Sequence, residues 1–103
     1  MPIRTERKAI HEFQSLMREI YFHRDKVRGV AGTLLWMVSE IGELTGAVLE
    51  GDQKTMTDEA ADVFAWLCSA CNLLGIDLEK ASFEKYGEGC PRCSQIPCRC
   101  QDN

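Results

Sequence analysis

Glu40 and Glu43 stand three residues apart, and so do Glu59 and Asp62. On a helix that interval places both carboxylates of a pair on one face, about a turn apart, so each pair is a potential clamp. The first face reads Trp36, Glu40, Glu43, Ala47, Glu50, and the second reads Thr55, Glu59, Asp62, Trp66, Ser69. Two antiparallel helices joined by the short turn at Gly51-Asp52-Gln53-Lys54 would bring the four carboxylates together. Like charges so close either keep protons or recruit divalent cations, and an all-oxygen ligand set suits Mg²⁺ and Mn²⁺. For one pair alone a solvated helix face is the plainer reading. Two pairs beside Gly42, Ala47, Ala60 and Ala61, residues small enough to let helices approach, favour a cleft. The Glu-x-x-His motif of di-iron bundles is absent, and His11 and His23 lie off these faces.

A second group of reactive side chains sits at the other end of the chain. Cys90, Cys93, Cys98 and Cys100 crowd the last fourteen residues, whereas Cys68 and Cys71 lie one turn apart in an apolar stretch and read as core. Four thiolates suffice for tetrahedral zinc, and the Cys90/Cys93 gap is the usual one. The single residue between Cys98 and Cys100 is tighter than most structural sites. Zinc, a pair of disulfides and an unliganded tail therefore all stay open, with zinc first.

These groups need helices to position them. Apolar residues recur at intervals of three and four from about Arg4 to Tyr86, and no alternating run is long enough for a strand. The expected class is all-α: a small bundle of three longer helices and one short helix, with a cysteine-rich C-terminal tail. A first helix is expected over about Thr5 to His23, with Ile10, Phe13, Met17, Ile20 and Tyr21 inward, before a bend flanked by Gly29 and Gly32. The second runs from about Thr33 to Glu50 with Leu34, Val38, Ile41, Thr45 and Val48 as its core stripe, and stops at Gly51. Thr55 or Thr57 caps the third, which turns Val63, Leu67, Ala70, Cys71 and Leu74 inward, and Asp77 caps a short fourth from Leu78 to about Tyr86. Gly87-Glu88-Gly89 divides a helical domain, residues 1–88, from the tail, residues 89–103.

Composition sets the outer bounds. At 103 residues the chain holds one domain, with 45% apolar and 27% charged residues. No run of 18 apolar residues suggests a membrane span, and no signal-peptide core follows Met1, so the expected location is the cytoplasm. A net charge of −4 opposes general nucleic-acid binding, and an anionic substrate would need a cation between it and this protein. So small a bundle covers its apolar surface poorly alone, so a homo-oligomer, dimer or tetramer, is expected.

The stretch Leu35-Trp36-Met37-Val38-Ser39-Glu40-Ile41-Gly42-Glu43-Leu44, followed by Glu59-Ala60-Ala61-Asp62-Val63, resembles the Glu-Glu-x-x-Glu and Glu-x-x-Asp signature of the all-α nucleoside triphosphate pyrophosphohydrolases related to MazG. The likeness runs from about Phe13 to Tyr86 and takes in Asn72-Leu73-Leu74-Gly75-Ile76-Asp77-Leu78 and Lys85; Ser39 departs from it, standing where the family often has a further glutamate. The resemblance implies Glu40, Glu43, Glu59 and Asp62 as Mg²⁺ ligands and hydrolysis at the α-phosphorus of a (d)NTP, releasing the (d)NMP and pyrophosphate. Glu43 is the expected general base. Lys85 and Asn72, through the family segment, and Trp36 and Trp66, as stacking surfaces, are the substrate candidates. Arg24, Lys54 and Lys80 are further cations that could reach phosphates. The competing reading is a non-catalytic helical module, zinc-containing and mediating assembly or regulation.

Overall fold

The computed structural model describes residues 9–101, which form three helices and no strand: α1 (Ile10–Glu50), α2 (Gln53–Leu74) and α3 (Leu78–Tyr86). The expected helix start at Thr5 lies outside the described residues. α1 is the two expected long helices run together across one non-helical residue, Gly29, at φ 86° and ψ 166°. That region is open essentially to glycine alone. The anticipated gap from residue 24 to residue 32 is otherwise helical, because one glycine is enough to redirect the chain. The hydroxyl of buried Thr33 donates to the Gly29 carbonyl at 2.8 Å, tying the first turn after the break back to it.

α1 closes on Gly51, whose N–H reaches the Val48 carbonyl at 3.1 Å while Asp52 N–H reaches that of Ala47 at 3.2 Å. Asp52, and neither Thr55 nor Thr57, caps α2: its carboxylate accepts from Thr55 N at 3.2 Å and from Thr55 Oγ1 at 2.9 Å. These bonds, the Thr55 hydroxyl first, hold the Asp52 carboxyl below the usual range. α3 follows Gly75 at 100° to α2, capped by Asp77 through Lys80 N–H at 3.1 Å, as the sequence suggests. No single described helix is long and apolar enough to cross a membrane.

The second arm of α1 packs on α2 through Thr33, Met37, Glu40, Leu44 and Ala47, a stripe with alternating steps of four and three. Met56, Glu59, Val63, Trp66 and Ala70 form the matching buried or half-buried stripe of α2. The expected core stripe of this arm lies one residue, about 100°, further round. Only Leu34 of that set is half-buried; Val38 is 60% exposed, Ile41 42% and Val48 54%, and the adjoining Leu35 and Leu49 are 69% and 82% exposed. Ile20, Tyr21 and Leu74, also expected inside, are exposed. Phe13 stacks on Phe64 with centroids 5.2 Å apart, joining the first arm to α2.

Gln14 locks the far end. Its amide nitrogen donates to Asn72 Oδ1 at 3.0 Å and to the Ile76 carbonyl at 2.7 Å, and its oxygen accepts from Leu78 N–H at 2.9 Å. Asn72 Nδ2 returns a bond to the Gln14 carbonyl at 3.1 Å. One buried side chain thus ties α1 to the α2–α3 junction with its polar atoms matched.

Candidate functional site

Because Glu40 and Glu59 belong to the facing stripes, the α1–α2 packing carries their carboxylates into the helix interface. Oxygens of Glu40, Glu43 and Glu59 all lie within 4.8 Å of one another; Glu40 and Glu59 are half-buried and Glu43 is exposed. Asp62, one turn along α2 from Glu59, is exposed and outside that trio, yet its charge acts on Glu59. Glu59 bears the strain of the arrangement. Its carboxyl is pushed up to about 7 by the hydrogen bond with Glu40, then by burial and by the charges of Glu43, Glu40 and Asp62. Its Oε1 is shut from solvent with no hydrogen-bond partner. A hard divalent cation would relieve the charge and engage that orphaned oxygen, so the residues fit Mg²⁺ or Mn²⁺.

Asp62 also borders a cleft of about 290 Å³ lined by Tyr21, Arg24, Asp25, Arg28, Trp66 and Ser69 among others. Asp25 is 1% exposed; its Oδ1 accepts from Arg28 at 2.7 Å and its Oδ2 has no partner. The Arg28 guanidinium lies 4.8 Å from the Trp66 ring centre. Trp36 and Trp66 stack on each other, centroids 5.9 Å apart and planes 13° from parallel, so the rings brace the two helices beside the acids. Trp66 walls this cleft, whereas Trp36 opens on a shallow depression with Gly32, Leu35 and Ser39.

The other substrate candidates sit elsewhere in the chain. Asn72 bonds with Gln14, as described, and Lys85 lines a separate cleft between α3 and the tail with its ammonium 5.6 Å from the Tyr86 ring. Of the remaining cations Lys54 pairs with Asp58 at 3.0 Å and Lys80 with Glu84 at 3.9 Å, which leaves Arg24 on the cleft wall. The pairing of Asp25 with Arg28 escaped the sequence reading. Their spacing of three was the available signal, but it is common on any helix surface.

The tail cysteines form a second cluster. Sγ atoms of Cys90, Cys93, Cys98 and Cys100 also lie within 4.8 Å of one another, and all four thiols are free. Backbone N–H groups, that of Cys93 foremost, draw Cys90 down to about 6, and Arg99 N–H likewise lowers Cys93. Neighbouring sulfurs, Cys98 first, push Cys100 up to about 12. Cys68 and Cys71 are buried, which raises both thiols, Cys68 to about 11, and makes them inert core.

Comparison with known proteins matches residues 28–94 to the family model of the MazG nucleotide pyrophosphohydrolase domain. The matched span holds all four acids, both tryptophans, Arg28 and the first cysteine pair, but not Tyr21, Arg24 or Asp25. Among curated proteins nothing matches the chain.

Proposed function

Since this chain belongs to the MazG nucleotide pyrophosphohydrolase domain family, we propose that it is a Mg²⁺-dependent hydrolase that cleaves a (d)NTP to the (d)NMP and pyrophosphate. The observation that carries this reading is the convergence of Glu40, Glu43 and Glu59 from two helices, with Asp62 alongside and Glu59 Oε1 unpartnered. These four residues would hold Mg²⁺, with Mn²⁺ as a substitute. When bound, the cation supplies neutralisation of phosphate charge and a more acidic water.

The protein's own side chains do the rest. Glu43, the exposed member of the trio, is open to solvent and takes the proton of the attacking water. Arg24, on the wall of the cleft that Asp62 borders, meets the triphosphate's negative charge. Arg28 is already paired with Asp25 and laid over Trp66; it holds the wall in place. Trp66 offers the substrate an apolar side in that cleft, with Trp36 behind it. Lys85 and Asn72 remain candidates for substrate contact on the strength of the family segment alone.

The experiment is a panel of ribo- and deoxyribonucleoside triphosphates incubated with Mg²⁺ and, in parallel, with Mn²⁺, with the products identified. Pyrophosphate and a monophosphate in equal amounts support the reading. Release of orthophosphate instead, or no turnover of any triphosphate in either cation, overturns it.

A further inference from the structure

We propose that Cys90, Cys93, Cys98 and Cys100 bind one structural zinc ion, which folds residues 89–101 into a knuckle at the end of α3. The four sulfurs already lie within 4.8 Å of one another, and two of their separations come close to those of a tetrahedral site. Cys90 Sγ is 3.6 Å from Cys100 Sγ and Cys93 Sγ is 4.0 Å from Cys98 Sγ. Four thiolates at the zinc–sulfur bond length of ~2.3 Å, set tetrahedrally, stand about 3.8 Å apart.

The backbone is arranged around the sulfurs as around thiolates. Arg99 N–H donates to Cys93 Sγ and Cys100 N–H to Cys98 Sγ, both at 3.3 Å, and N–H donors of this kind stabilise ligating sulfur. Ser94, at φ 62°, turns its N–H back to the Cys90 carbonyl at 2.6 Å, closing the first Cys-x-x-Cys into a loop. Gly89 sits at φ 110°, where a Cβ would meet the Gln95 carbonyl oxygen and Ile96 Cγ1 at 3.0 Å. These are specific geometries, yet the segment has no buried apolar core to impose them. No residue from Gly87 to Gln101 is buried, and Ile96 is 81% exposed. A segment without a core takes a fixed shape when a ligand supplies the ordering energy, and metal ligation is folding energy of that kind.

Tetrahedral sulfur suits zinc or iron. Zinc is the assignment because four protein thiolates with no open coordination place make a site of the structural kind, and iron in the same four positions is the alternative that the metal analysis decides. Each thiol gives its proton to solvent on ligation, and no oxidant or reductant is involved.

Metal analysis of the full chain, both as purified under reducing conditions and after reconstitution with Zn²⁺ alone, should find about one zinc per chain, held through gel filtration. Replacing zinc by Co²⁺ should give the intense visible bands and sulfur charge transfer of a tetrahedral tetrathiolate. Cys93→Ser and Cys98→Ser should each weaken retention and reduce the charge-transfer intensity, while the far-ultraviolet dichroism of the bundle stays unchanged. Four tail thiols that react freely in the presence of Zn²⁺, an octahedral cobalt spectrum, or stoichiometric iron in place of zinc would overturn the assignment. The cobalt spectrum of the wild-type chain does not depend on any variant folding.

Discussion

Glu59 is the side chain on which the cost of the site concentrates. In the unfolded chain its carboxyl titrates near 4.5, and in the fold it is pushed up to about 7. Between those values the folded state holds a proton that the unfolded state has lost, so stability is present below the window and falls as pH rises through it. In chelator, the melting temperature should therefore drop as pH rises from about 4.5 to about 7, and Mg²⁺ should recover most of the loss at the upper end. Glu59→Gln removes the titration and should flatten the drop while lowering Mg²⁺ affinity and turnover. Equal pH slopes in wild type and variant would show that Glu59 is not the group responsible. Glu43→Gln removes one of the charges that push Glu59 up, so it is predicted to shrink the pH slope in part without abolishing it, and to cut kcat by about 10²–10⁴-fold, the usual contribution of a general base. Steady-state rates at saturating Mg²⁺ distinguish the two roles.

At the level of elements, the acids meet because two glycines and an aspartate set where helices bend and end. Gly29→Ala would put a Cβ into open space, since nothing lies within 4 Å, so its whole cost is backbone strain. That cost should be about 1–3 kcal/mol in urea unfolding; an unchanged midpoint would mean that the break at Gly29 is not what fixes the arms of α1. Much of this level was legible in the sequence. The all-α class, the stops at Gly51 and Gly75, the Asp77 cap and the pairing of Glu40 and Glu43 with Glu59 all follow from local rules of spacing and capping. The rotation of the second arm did not. Stripes 33/37/40/44/47 and 34/38/41/45/48 share the same helical period, and the second is the more apolar, so pattern alone selects it. The structure buries the first, because the small Thr33 and Ala47 let α2 approach while Glu40 enters the interface. The pairing of Asp25 with Arg28 beside Trp66 was hidden for a related reason: it depends on the bend, which local spacing locates but does not aim.

For the molecule as a whole, the rejected stripe is the informative one. Leu35, Val38, Ile41, Val48 and Leu49 lie in the open along one side of α1's second arm. Fully burying a valine or leucine contributes about 1.5–3 kcal/mol, against an association cost of roughly 4–15 kcal/mol, so a few such residues from each of two copies can exceed it. A homo-oligomer is therefore predicted, built on this stripe, with a solution mass twice or four times the 11.6 kDa of one chain. Val38 sits mid-stripe, away from the α2-facing residues, so Val38→Lys should leave each chain helical while placing charges across the shared face. Light scattering should then show the variant at a single-chain mass and the wild type at the multiple. If the wild type itself scatters as one chain at micromolar concentration, the exposed stripe is not a contact between copies. If Val38→Lys keeps the oligomeric mass, the contact lies on another face.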